Sequence, residues 1–375
     1  MVGLHRALLA GPSRWLAPAL GAAVIAGCSV SHSMQPVGPV SDEYSCDARH
    51  AGQGASVRWF GPERDPDRRS LADWCSAVGP VVLQPELASG VSAPPAGSIL
   101  TAVTWNMHVG GGDLVSFLRS EVGYDCDAAA AQRAQPHFVL LVQEAFRASD
   151  EIPDAPEDAP VPNRIAEHPP NGPRLDIVEV AGRCGLALFY APSMSNGQAD
   201  EDHAREDRGS AILSTLPLTK PVAIEVPLEA QRRVAVVATV QSPDGSSRLR
   251  VASVHYDVAG NILRVLGTGG SMRVRQNDGM TEALDSLDPE RAVPIVVAGD
   301  LNTWSSRETV VLRMLETYPE SPPPGREKTR GDWPPDHMFF RAGEGAIELV
   351  EGSYRVAEDT FGSDHRARLA TFRFR

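Results

Sequence analysis

Along this chain the apolar residues come in short β-branched runs that break off at a polar residue. The clearest is Val296-Val297-Ala298-Gly299-Asp300-Leu301-Asn302. Pro294 in front and the glycine near its end mark it as a buried strand. Side chains alternate along an extended backbone, so Asp300 and Asn302 leave the strand's end on the same side. Residues 99–106 repeat the pattern and stop at Asn106; residues 137–144 stop at Glu144. Further strands are predicted near 185–190, 210–213, 234–241 and 249–255, with a short one at 336–340 and a closing one at 367–374. Helical signals are fewer. Asp113 is placed to cap a helix over 114–122, and residues 272–287 read as a helix weakened by Gly279. Its Arg275 and Gln276 are expected to face that helix's neighbours. Ser305 or Ser306 can cap a helix running to about residue 315. Segments 147–173 and 319–335 are rich in proline and charge and read as long loops, which in compact domains are usually functional or disordered.

Polar groups thus recur at strand ends: Asn106, Glu144, His255, Asp300 with Asn302, and the pair Asp364-His365. That recurrence points to a site built at one rim of a sheet. The chain has 375 residues, 42% of them hydrophobic, which gives room for a sizeable core in one large domain or two small ones. Its formal net charge of -13 disfavours loose binding to phosphate polymers but allows a small cationic or metal-filled cleft.

Residues 1–27 read as a targeting segment. Arg6 and Arg14 precede an apolar stretch over 15–26, too short and too rich in small residues for a membrane span. It ends in Ile25-Ala26-Gly27-Cys28, which resembles a bacterial lipobox whose cysteine becomes the lipidated first residue of the mature chain. An ordinary secretory signal with a chance cysteine is the other reading. Ser29, where an aspartate could stand, favours the outer membrane if the organism has one. Cys28 is therefore the expected lipidation site, and the protein is expected to be exported and lipid-anchored to the bacterial cell envelope. Residues 28–98 are expected to form a tether followed by a small extension holding Trp59, Trp74 and two cysteines. With Cys28 lipidated, Cys46, Cys75, Cys126 and Cys184 remain, and an even number in an exported protein suggests disulfides. Their spacing fits no zinc motif. Three pairings are open; the expected one is Cys46–Cys75 with Cys126–Cys184.

Seven short motifs occur in order, each at a predicted strand end: Trp105-Asn106, Gln143-Glu144, the run 209–214, Val254-His255, Gly299-Asp300-Leu301-Asn302, Asp336-His337 and Ser363-Asp364-His365. Together they resemble the endonuclease/exonuclease/phosphatase superfamily over residues 99–375. Each motif alone is weak; seven in order are specific. The resemblance implies an α+β fold, a four-layer α/β/β/α sandwich of the DNase-I-like kind. It also implies a divalent cation, usually Mg²⁺ with Mn²⁺ as a substitute, and hydrolysis of a phosphate ester, with the protein expected to be a monomer.

Phosphodiester hydrolysis needs an aligned water, charge neutralisation and help for the leaving oxygen. Mg²⁺ keeps several waters and needs only one or two carboxylates and an amide. By resemblance Glu144 and Asp364 lie on the metal side, and Asn106 is a metal-side or phosphate-side amide. Asp300 orients or deprotonates the water, and Asn302 holds the phosphate or that water. His365 touches the phosphoryl oxygen, with Asp336 fixing its tautomer and raising its pKa. His255 is a second phosphate contact or the general acid, with Asp207 as its candidate orienting acid. His337 reads as structural. His108 stands where some family members place an acid. Arg208 and the Arg232-Arg233 pair can supply positive charge, though a structural salt bridge is the plainer reading of each. Segments 147–173 and 319–335 read as poor in basic and aromatic residues, against a long nucleic-acid groove. The substrate classes left open are nucleic acid, phospholipid headgroup and inositol phosphate. A non-catalytic, surface-anchored binding protein on the same scaffold is the alternative.

Overall fold

A computed structural model describes residues 34–36, 57–85, 99–129, 135–153, 164–165, 173–196, 205–241, 247–258, 269–323, 327–344 and 347–374. Cys28 and Cys46 lie outside them. The chain divides into Met1–Ser31 and His32–Arg375, and the description concerns the second unit.

In chain order the strands and helices begin with β1 (Met34–Pro36), β2 (Arg58–Pro62), α1 (Asp65–Ser76) and β3 (Val82–Gln84). There follow β4 (Ile99–Asn106), α2 (Leu114–Phe117), α3 (Cys126–Ala129), β5 (His137–Ala148), β6 (Arg164–Ile165) and α4 (Ile177–Cys184). Strands β7 (Ala187–Asn196), β8 (Glu206–Ser214), β9 (Leu218–Val226), β10 (Arg233–Gln241) and β11 (Arg248–His255) follow, with no helix between them among the described residues. Helix α5 (Gly269–Leu287), β12 (Ile295–Asp300), α6 (Thr309–Thr317), β13 (Asp336–Arg341), β14 (Ile347–Leu349), β15 (Arg355–Val356) and β16 (Arg368–Phe374) complete the unit.

The strands make two sheets. One runs β1-β2-β9-β10-β11-β12-β13, and the other runs β14-β16-β4-β5-β8-β7-β3 with β15 and β6 on its flanks. Three apolar clusters show the layering. The first joins the facing sides of the sheets through Leu141, Phe189, Val236, Val296, Phe340 and Phe372. The second packs Leu114, Phe117, Ile177 and Val180 on the outer face of the nine-stranded sheet. The third packs Met280, Leu284, Val310 and Met314 of α5 and α6 on the outer face of the other. Strands with apolar residues on both faces are the result, which is why their sequences read as continuous β-branched runs. The fold is the expected α+β sandwich with helices outside both sheets.

Several local readings change. Strand β5 does not stop at Glu144; a bulge between Val142 and Ala145 lets it continue to Ala148. Strand β9 was hidden by Lys220-Pro221, where Lys220 takes a φ of 50°. Helix α4 lies just past the loop read over 147–173 and is capped by Asp176, which accepts from Val178 N at 2.7 Å. Helix α6 begins only at Thr309, with Glu308 as N-cap; Ser305 Oγ accepts from Arg307 N at 3.2 Å instead of starting the helix. Asp113 does cap its helix, accepting from Ser116 N at 3.0 Å; that helix passes into a wider π turn over Leu118–Val122. Before residue 99, β2 pairs with β9 in one sheet and β3 with β7 in the other. Cys126 and Cys184 form a disulfide, as expected. Cys75 is disulfide-bonded as well.

Candidate active site

Three strands of the seven-stranded sheet end side by side. In register, His255 of β11 lies next to Asp300 of β12, and Asp300 lies next to Asp336 of β13. The other sheet brings Asn106 at the end of β4, Glu144 at the bulge of β5, and the 363–365 turn that leads into β16. A glycine before Asp300 is obligatory, because a Cβ on Gly299 would stand 1.8 Å from Val254 O. The bulge gives Glu144 a φ of 52°, a left-handed conformation that a non-glycine residue holds only when its surroundings impose it. Asn302 also has a φ of 52°, which asparagine tolerates.

Polar contacts tie the two sheets together under and within the site. Gln143 Nε2 donates to Ser253 Oγ at 2.9 Å, and Ser253 Oγ donates to Val142 O at 2.8 Å. Above them Asn106 Nδ2 donates to Asp300 Oδ2 at 2.9 Å, while Asn106 Oδ1 accepts from His108 N at 3.0 Å. Asn302 N donates to the other oxygen of Asp300 at 2.7 Å, and its side-chain amide donates to Tyr256 O at 2.7 Å. His365 Nδ1 is 2.8 Å from Asp336 Oδ2, and a carboxylate can only accept there, so Nδ1 carries the proton. His365 Nε2 is buried with no hydrogen-bond partner among the described residues, 3.8 Å from Asp300 Oδ2. His255 Nε2 is 3.7 Å from the same Asp300 oxygen and 4.0 Å from Glu144 Oε1.

Electrostatics separate these groups. Burial alone would depress His365, but the carboxylate of Asp336 outweighs it and pushes the imidazole up to about 9. Burial and the nearby Asp336 raise Asp300 to about 6, against the pull of His365 and the hydrogen bonds from Asn106 and Asn302. Glu144 loses hydration, yet Arg208, Arg233, His365 and His108 together hold its carboxyl below the usual range. His255 is driven well below the ordinary histidine value, first by burial and then by Arg233 and Arg208. A protonated imidazolium, an ionised carboxylate and a carboxyl tuned close to neutrality therefore share one cleft. Such a spread is what acid–base chemistry at neutral pH requires.

The site thus gathers Asn106, Glu144, His255, Asp300, Asn302, Asp336 and His365. Asp364 stands at its edge, paired at 2.5 Å with Arg330 and 3.8 Å from His365 Nε2. Arg208 lies within electrostatic reach of Glu144 and His255 and also contacts Met194 Sδ. Asp207 is elsewhere. It sits on β8 in the other sheet, fully buried, where it accepts from Arg147, Tyr190 OH and Gly79 N, so it does not orient His255. The partner of His255 is Arg233, whose Nη1 lies 3.1 Å from His255 Nδ1. Arg232, by contrast, is the structural residue expected, bonded to Glu225 and to Pro192 O. His337 is also structural: its Nε2 meets Thr303 Oγ1 at 2.7 Å, and burial lowers it to about 3. The 319–335 segment is richer than expected. It contributes Arg330, and its Trp333 packs edge-on against Trp304, with ring centroids 4.7 Å apart, both rings partly exposed.

Two groups of side chains bear on a cation. Ligand atoms of Asp300, Asp336 and His365 lie within 4.8 Å of one another. In that trio, however, Asp336 Oδ2 and His365 Nδ1 are already paired with each other. Glu144 offers a carboxylate, Asn106 a carbonyl oxygen and Asp364 a second carboxylate, all hard oxygen donors of the kind divalent cations take.

Solved structures similar to the chain include the human nocturnin catalytic domain with bound sulfate anion (15% identity, 76% of this chain and 97% of that one, TM-score 0.47). An endonuclease/exonuclease/phosphatase from Beutenbergia cavernae gives 18% identity over 74% and 72% of the chains, with a TM-score of 0.48. Sphingomyelinase C from Streptomyces griseocarneus gives 14% over 74% and 99%, with a TM-score of 0.42. No curated protein matches the sequence. The profile of the Endonuclease/Exonuclease/phosphatase family matches residues 103–365, from inside β4 to His365 itself. With that span and the site it encloses, this chain belongs to the endonuclease/exonuclease/phosphatase family, a group of phosphoester hydrolases.

Proposed function

We propose that the protein is a divalent-metal-dependent phosphodiesterase. The observation that carries this reading is Asp300 Oδ2, set 3.7 Å from His255 Nε2 and 3.8 Å from His365 Nε2. Here a carboxylate flanked by two imidazole N–H donors faces a cleft that also holds an ionised Glu144.

Asp300 is the group that takes a proton from the attacking water. Its pKa of about 6 leaves it ionised at neutral pH yet basic enough to accept. Asn106 holds one of its oxygens and Asn302 N the other, so the base cannot rotate away from the water. His365, kept protonated by Asp336, donates from Nε2 to a phosphoryl oxygen and opposes the charge gathering there. His255 donates from Nε2 to a second oxygen. Glu144, with Asn106 Oδ1 and Asp364, would hold the cation. When bound, that ion polarises the phosphate and stabilises the leaving oxygen. A diester is favoured over a monoester because the exposed Trp304–Trp333 pair flanks the strands that carry Asp300 and Asp336 and suits a flat or apolar group beyond the phosphate. Nucleic acid, phospholipid headgroup and inositol phosphate remain the substrate classes.

Hydrolysis of bis-p-nitrophenyl phosphate with Mg²⁺, with Mn²⁺ and with EDTA is the test. Turnover with either ion and none with EDTA is expected; none in any condition would favour a binding protein on this scaffold. We further propose that Cys28 carries a lipid anchor on an exported chain. Cys28→Ser should release the protein from membranes, and retention after a salt wash would end that reading.

A further inference from the structure

The two site histidines are held in opposite ways. His365 leans on an acid, whereas His255 leans on a base. His255 ends β11, and the neighbouring antiparallel strand β10 begins at Arg233, so the start of one strand faces the end of the other. Arg233 Nη1 meets His255 Nδ1 at 3.1 Å, with Arg233 only 5% exposed. A guanidinium has five N–H donors and no acceptor. The contact therefore has only one sense: Arg233 donates, and Nδ1 receives with its lone pair. An imidazole whose Nδ1 is an acceptor carries its proton on Nε2, the nitrogen that faces Asp300 and Glu144.

Arg233 is itself fixed. Its Nε donates to Asp257 Oδ1 at 3.2 Å, and its Nη2 donates to Gln231 Oε1 at 2.9 Å. Asp257 is 1% exposed and its Oδ2 accepts from Ala230 N, Gln231 N and Gln276 Nε2. Gln276 on α5 returns a bond by accepting from Asp257 N at 2.8 Å. The chain α5–Gln276–Asp257–Arg233–His255 thus runs from the outer helix layer to the cleft.

On the proposed hydrolase reading, we propose that Arg233, braced by Asp257 and Gln276, is a positioning residue that locks His255 as the neutral Nε2–H tautomer. The consequence is a division of labour. Locked in this way, His255 is a fixed hydrogen-bond donor to the substrate phosphate and never the proton-carrying acid, because a second proton on Nδ1 would point at a guanidinium. Of the two histidines, His365 is the one that supplies positive charge.

The test is spectroscopic first. Long-range ¹H–¹⁵N correlation on uniformly ¹⁵N-labelled protein distinguishes the two neutral tautomers, and the signals that vanish in His255→Asn identify the ring. Nδ1 of His255 should be unprotonated and Nε2 protonated in the wild type, without substrate. Arg233→Met should release the lock, giving a mixture of tautomers or the Nδ1–H form, and should lower kcat by about 10–100-fold, the usual cost of losing an orienting partner, with a smaller change in KM. Arg233→Lys, which keeps a donor, should restore part of both. An Nδ1–H signal in the wild type overturns the proposal whether or not the variants fold. So does an unchanged tautomer and kcat in Arg233→Met. An Nε2–H tautomer in a protein that hydrolyses no phosphodiester supports the lock and removes the hydrolase reading, so the two failures are told apart.

Discussion

Asp207→Asn should destabilise the protein strongly and leave its chemistry intact. Asp207 faces Arg147 across the β5–β8 pair in register. Arg147 Nε donates to Oδ1 at 3.0 Å and its Nη2 to Oδ2; Tyr190 OH donates to Oδ1 at 2.7 Å and Gly79 N to Oδ2 at 2.9 Å. Four donors converge on two oxygens, and the side chains of both charged residues are nearly sealed, at 3% and 0% exposure. An asparagine fills the same volume but turns one acceptor into an NH₂ that faces donors, and it leaves the guanidinium without a counter-charge. Breaking a buried pair from one side costs about 3–5 kcal/mol. At roughly 2 °C per kcal/mol, the value for a large domain, Tm should fall by roughly 6–10 °C. Thermal and urea unfolding read the loss, and kcat per folded molecule should stay within about threefold, since the Nδ1 of His255 is taken by Arg233. The double change Arg147→Met with Asp207→Leu should recover part of the stability, because no charge is left buried alone. An unchanged Tm together with a large fall in kcat would refute the structural assignment and return Asp207 to the site.

Three further outcomes are expected. His365 is held up to about 9, so activity that depends on its imidazolium should persist below that pH and fall as pH rises through it; Asp336→Asn should move that limb of the kcat/KM profile towards 6.5, and a limb that stays in place would dissolve the pair. Loss of the two together should be far from additive, with the double variant little worse than His365→Ala. Glu144→Gln should raise the Mg²⁺ concentration for half-maximal activity more than it raises KM for substrate, measured by metal titration of EDTA-stripped protein; wild-type metal dependence would take Glu144 out of the ligand set. Gly299→Ala should cost about 3 kcal/mol or more in urea unfolding, because its Cβ would overlap Val254 O; near-wild-type stability would mean that β11 and β12 can part more easily than the packing indicates.

The strand that ends in Asp300 was legible because burial on both faces makes a run of β-branched residues, and the end of a run marks where chemistry can emerge. The same holds for Asn106 and His255, whereas Glu144 emerges at a bulge within β5. What stayed hidden depends on contacts between strands. Asp207 is close to the glycine-led run of β8 in sequence, which made it a plausible partner for His255, but β8 and β11 belong to different sheets. Arg233 opens a strand and looks like any cation at a strand end; only antiparallel pairing with β11 carries it to the Nδ1 of His255. Arg330 is one charge in a proline-rich loop until the turn at 330–333 brings it to Asp364. Strand β9 failed for a local reason, since Lys220-Pro221 interrupts the apolar alternation and takes away a ladder donor.

The strands β2 and β3 supplied by the N-terminal segment have a consequence in time. Arg58 pairs with Val222 and Val82 with Tyr190, so strands made early must wait for partners made more than a hundred residues later. Apart from antiparallel pairing with Met34–Pro36, β2 has no neighbour among the described strands until β9 exists. Contacts this distant in sequence carry a large loop-closure cost before they return any stability, and they slow folding. The inner strands β4, β5, β7 and β8 have nearer partners and can associate first, with β9, β10 and β11 forming as a meander beside them. On this order β2 and β3 dock after the central strands, and β16, whose register with β4 spans more than 260 residues, also joins late.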